Sequence, residues 1–103
     1  MMIEERKVIM VRKHLIARGR VQGVGFRYVC SSIANEYHLT GWVRNCYDGS
    51  VEIEVQGPEH RVDGFTEKLR KGNRFIKIRQ LDVAEIPPLR ADAEDAFRIR
   101  HYE

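Results

Sequence analysis

The segment "TGWVRNCYDGSVEIEVQ", Thr40–Gln56, sets two runs rich in β-branched and aromatic residues on either side of Tyr47, Asp48 and Gly49. Asp-Gly is a turn dipeptide, because glycine takes positive φ without steric cost and aspartate bonds nearby backbone. The two runs are therefore expected to pair as a β-hairpin. On its second strand Val51, Ile53 and Val55 alternate with Glu52 and Glu54. A period of two turns the aliphatic residues toward a core and the two glutamates toward water.

Both flanks of this hairpin carry a different period. Upstream, Phe26, Cys30, Ile33, Ala34 and Tyr37 recur at steps of three and four, the apolar stripe of an amphipathic helix over about Arg27 to Tyr37. Downstream, "GPEHRVDGFTEKLRKG" opens on a proline suited to a first helical turn and closes on Gly72, with Val62, Phe65 and Leu69 as its buried stripe and Gly64 as a mild flaw. Before the first helix, Leu15 and Ala17 alternate with His14, Ile16 and Arg18 until Gly19 cuts the strand. After the second, "RFIKIRQLDVAEI" and "AFRIRHY" read as strands separated by "PPLRADAED", a loop because consecutive prolines cannot continue a central strand. A hairpin between two helices gives the order βαββαβ with a short fifth strand. The expected fold is α+β: a ferredoxin-like sandwich with two helices on one face of a mainly antiparallel sheet.

The chain has 103 residues and a net charge of +3. One domain of this size can bury a core without disulfides or a structural metal. Residues 1–10 read as a charged lead-in, whose "VIMV" end extends the first strand or packs on the domain, and residues 11–103 as the domain. The small positive charge favours an anionic partner without naming it. No apolar run suffices to cross a bilayer and the N-terminus is too charged for a secretory signal, so a cytoplasmic protein without membrane attachment is expected. Cys30 and Cys46 have no CxxC spacing and read as reduced thiols, a disulfide between them being the alternative. His14, His38, His60 and His101 are scattered without ligand spacing, and no metal is assigned.

Function has to come from a site, since this architecture hosts many activities. "GRVQGVGFR", Gly19–Arg27, runs from the end of the first strand into the first helix. Gly23 and Gly25 free the backbone to turn successive N–H groups toward one point, a nest that suits an anion. The helix adds its free N-terminal amides and positive dipole end, and Arg27 adds a planar fork of donors. This is neither a dinucleotide fingerprint, since Tyr28 stands where the third glycine belongs, nor a P-loop, since Gly25, Phe26 and Arg27 replace its GK[ST] ending. A plain strand-to-helix turn explains the nonapeptide equally well. Asn45, near the end of the first hairpin strand, has an amide able to accept from a water and donate to a phosphate, or simply to bond local backbone.

Taken together, "GRVQGVGFR" and "GWVRNCYDGSVE" resemble the acylphosphatases, small enzymes that hydrolyse the carboxyl-phosphate bond of acyl phosphates, and the likeness covers about residues 12 to 102. The resemblance implies that Arg27 binds the substrate phosphate, that Asn45 positions the attacking water, and that Val21, Gln22, Gly23, Val24, Gly25 and Phe26 form the phosphate cradle. It implies an acyl phosphate and phosphate as partners and no cofactor. A monomer is expected. Glu103 beyond Tyr102 and the longer N-terminus depart from the family pattern. Two other readings stand beside it. A ferredoxin-like nucleic-acid-binding module is disfavoured by the outward Glu52 and Glu54, so no nucleic acid is expected. A hydrolase acting mainly on carbamoyl phosphate keeps the fold and changes the substrate. Trp42 reads as a core anchor.

Overall fold

The computed structural model describes residues 8–101. Tyr102, Glu103 and most of the N-terminal lead-in lie outside them. The elements follow as β1 (Met10–Arg20), α1 (Phe26–Glu36), β2 (Thr40–Asn45), β3 (Val51–Pro58), α2 (Glu59–Lys71), β4 (Lys77–Ile86) and β5 (Phe97–Arg100). The strands form one sheet in the order β4-β1-β3-β2-β5. All pairings are antiparallel except β2 with β5. This is the α+β ferredoxin-like arrangement with its short fifth strand at one edge. Met10 and Val11 belong to β1, so the end of "VIMV" does extend the first strand.

Alternation decides which side of the sheet the helices cover. Val11, Leu15 and Ala17 of β1, Val43 of β2 and Val51, Ile53 and Val55 of β3 are buried on one face, against Phe26, Cys30, Ile33 and Ala34 of α1 and Val62, Phe65 and Leu69 of α2. Each large aliphatic or aromatic side chain so buried contributes roughly 1.5–3 kcal/mol. Gly64 is no flaw in α2. A Cβ there would stand 2.6 Å from the ring of Tyr37, so the missing side chain lets the two helices meet across that tyrosine. The hairpin turn is closed as expected: Asp48 Oδ1 accepts from the Ser50 amide at 2.9 Å and from the Ser50 hydroxyl at 2.6 Å.

The opposite face departs from the expectation of solvated glutamates. Arg12, 1 % exposed, donates through Nε to Glu54 at 2.7 Å and through Nη1 and Nη2 to Glu94 at 2.9 and 3.2 Å. Glu52 accepts from Arg44 Nε at 2.6 Å and lies 2.6 Å from His14 Nε2. Gln56 exchanges two hydrogen bonds with the backbone of Leu89, donating at 3.0 Å and accepting at 2.8 Å. The 87–96 segment is therefore strapped over this face by the groups that alternation alone directs to water. Burial pushes the Glu52 carboxyl up, but the hydrogen bonds from His14 and Arg44 outweigh it and hold it below the ordinary range. The carboxylates cited against nucleic-acid binding are thus already paired with cations. Trp42 is buried as expected, but on this same face, outside the cluster that the helices cover, with the guanidinium groups of Arg44 and Arg100 at 5.6 and 4.7 Å from its ring.

Candidate active site

β1 and α1 are joined by the 21–25 loop, at the end of the sheet where β2 stops and β3 starts. Gly23 and Gly25 have φ of 72° and 78°, left-handed values that strain any residue with a side chain. Among the described residues nothing lies within 4 Å of a Cβ built on either, so the backbone angle and not lack of space calls for glycine. Gly25 is also the N-cap of α1. Among the described residues no side chain caps this helix start, and its first turn holds no acidic residue. The first amides of a helix have no partner within it, so their donors and the positive dipole end remain turned to whatever enters the loop.

Arg27 stands in that first turn, and its Nη1 donates to the backbone carbonyl of Arg100 at 3.1 Å. One contact to β5 thus orients the guanidinium and leaves other N–H groups of its fork. Asn45 ends β2 on the helix-covered face, in register with Val51, and is 6 % exposed. Its Oδ1 is buried and has no hydrogen-bond partner among the described residues. An unmatched buried acceptor costs about 1–3 kcal/mol, so a group that donates to it is favoured there. Val21, Gly23, Gly25, Phe26, Arg27, Tyr28 and Asn45 together line a cavity of about 110 Å³, on the scale of one phosphate and a water.

Six of the eight expected site residues therefore meet at one cavity. Gln22 and Val24 do not line it. The Gln22 amide donates at 2.7 Å to the Cys46 carbonyl and at 2.8 Å to that of Ser50, binding the loop to the hairpin that bears Asn45. Val24 packs against the core. Tyr28 is the lining residue that the glycine pattern did not bring forward; its place three residues past the helix cap was the available signal. Cys30 and Cys46 are free thiols, and burial pushes the Cys30 thiol well up.

The family model described as acylphosphatase matches residues 13–99. An acylphosphatase of Clostridium acetobutylicum is 47 % identical over 91 residues, 87 % of this chain and 98 % of its own length. Among solved structures, the acylphosphatase of Bacillus subtilis superposes with a TM-score of 0.81 at 39 % identity, covering 87 % of this chain and 98 % of that one. Full-length HypF, solved in a phosphate- and nucleotide-bound form, superposes with a TM-score of 0.79 at 28 % identity, covering 96 % of this chain but 13 % of that protein.

Proposed function

The chain belongs to the acylphosphatase family, and from that premise we propose that the Val21–Phe26 loop, Arg27 and Asn45 are the machinery with which it hydrolyses acyl phosphates to carboxylate and inorganic phosphate. The loop amides, the first amides of α1 and the Arg27 guanidinium hold the phosphoryl oxygens as charge redistributes among them. Asn45 Oδ1 accepts from the attacking water and sets it in line with the bond to be broken. The water oxygen bonds to phosphorus, the bond from phosphorus to the acyl oxygen breaks, and its electron pair leaves on the carboxylate. The water's proton passes to a phosphoryl oxygen. A carboxylate leaves readily, so no strong general acid and no metal is required of the site.

The observation that carries this reading is the buried, unpartnered Asn45 Oδ1 in the cavity that Arg27 lines. A water bridging Asn45 and the phosphoryl group satisfies both. Hydrolysis of benzoyl phosphate in the presence of a chelator tests the proposal with Arg27→Ala and Asn45→Ala. Both variants are expected to fold and to lose roughly 100-fold or more of kcat/KM, the scale for one stabilising donor. Full activity in either variant removes that residue from the mechanism, and loss of wild-type turnover to the chelator removes the metal-free step.

A further inference from the structure

The phosphate cradle leaves open what holds the rest of the substrate, and Tyr28 bears on that. It lines the cavity yet is 72 % exposed, so its ring has no part in the core. On α1 successive residues advance about 100°, which puts Tyr28 about 200° from both Phe26 and Cys30, the residues that face the sheet. Asn45 belongs to the sheet. Tyr28 therefore stands on the side of the cavity away from the strand that carries Asn45, and helical side chains lean toward the helix start, here the mouth of the loop.

In-line displacement sets the attacking and leaving oxygens on opposite sides of phosphorus. With the water on Asn45, the leaving carboxylate and its acyl group extend away from the sheet. Resting on the site proposed above, we infer that Tyr28 is the acyl-side platform, a specificity-determining residue that favours acyl phosphates with a flat, apolar or aromatic acyl group over those with a small one. None of the described residues lining the cavity is acidic, so none of them repels the carboxylate as it departs. The ring supplies apolar area to an acyl group that the cradle itself does not grip.

The test compares kcat/KM for benzoyl phosphate and acetyl phosphate in the wild type, Tyr28→Ala and Tyr28→Phe, with inhibition by inorganic phosphate measured alongside. Because Tyr28 is exposed, both variants are expected to fold. The benzoyl to acetyl ratio should fall about threefold to tenfold in Tyr28→Ala, the usual worth of an aromatic contact, and stay near the wild-type value in Tyr28→Phe. The phosphate inhibition constant should move by less than about twofold in both. An unchanged ratio in Tyr28→Ala, or an equal loss on both substrates, overturns the inference. Arg27→Ala separates the two readings: if it abolishes turnover of both substrates while Tyr28→Ala leaves the ratio unmoved, the platform fails and the cradle stands. If Arg27→Ala leaves both turnovers intact, the cradle fails and the platform fails with it.

Discussion

The two helices lie on the same face of the same sheet and bury comparable apolar stripes, yet their ends are built on opposite plans. α2 begins with Glu59 and ends with Lys68, Arg70 and Lys71, charges that complement the helix dipole at both ends. Neither helix start has a side-chain cap among the described residues, but α1 begins on a left-handed glycine without an acidic residue, sets Arg27 in its first turn, and has no basic residue in its last. A cation at a helix start costs about 0.3–1 kcal/mol. α2 is arranged for stability, whereas α1 keeps its positive end unneutralised and adds a further positive charge. Such an end is worth its cost only if an anion arrives to use it.

The comparison breaks most sharply at Arg27. Arg27→Lys keeps the charge and loses the planar fork, and is expected to lower kcat/KM by about 100-fold, while chemical denaturation shows a change below about 1 kcal/mol. A large loss of stability with little loss of rate would put Arg27 on the same footing as the residues of α2. Next comes Gly25→Ala. Its φ of 78° costs a residue with a side chain about 1–2 kcal/mol, without a clash, and inhibition by inorganic phosphate should weaken in step as the cradle opens.

The mirror experiment is Glu59→Lys on exposed α2, which should cost about 0.3–1 kcal/mol in a denaturant titration and leave hydrolysis rates unchanged. Finally, pH separates stability from turnover. Asp48, held down to about 2 by hydrogen bonds from the Ser50 side chain and backbone and by Arg18, has a depressed folded-state value. Its stabilisation is present above the ordinary carboxylate range near pH 4 and is lost as pH falls through about 2. The melting temperature of Asp48→Asn should therefore change less with pH across that window than that of the wild type. Turnover should show no bell assignable to a protein acid and base between about pH 6 and 9, since among the described residues the cavity lining holds neither histidine nor carboxylate.

Much of the fold was legible because its signals are local. The Asp48–Gly49 turn, the stripes of both helices and the inward face of β3 each follow from a periodicity or a turn dipeptide that neighbouring residues do not contradict. The loop and Asn45 pointed to a candidate site only as a pair, since neither outweighed a plain turn alone, and the structure brings six of those eight residues to one cavity. What alternation cannot state is what covers the other face. It turned Glu52 and Glu54 outward correctly, but only the folded chain brings Glu94 and Leu89 across to meet Arg12 and Gln56. Gly64 misled for a related reason. Helix propensity is a property of one helix, and the ring of Tyr37 that fills the place of a side chain belongs to the other.

The carboxamide of Gln22 has a further consequence, for how the molecule fluctuates. The two carbonyls it binds also close the hairpin turn: that of Cys46 accepts from the Gly49 amide at 3.1 Å, and that of Ser50 from the Cys46 amide at 2.9 Å. The loop and the turn thus share two acceptors, and opening of the turn is expected to be coupled to release of the loop. Hydrogen exchange at the Cys46 and Gly49 amides should therefore report on the 21–25 loop from outside it. If the loop binds phosphate as proposed, added phosphate should slow that exchange at the turn.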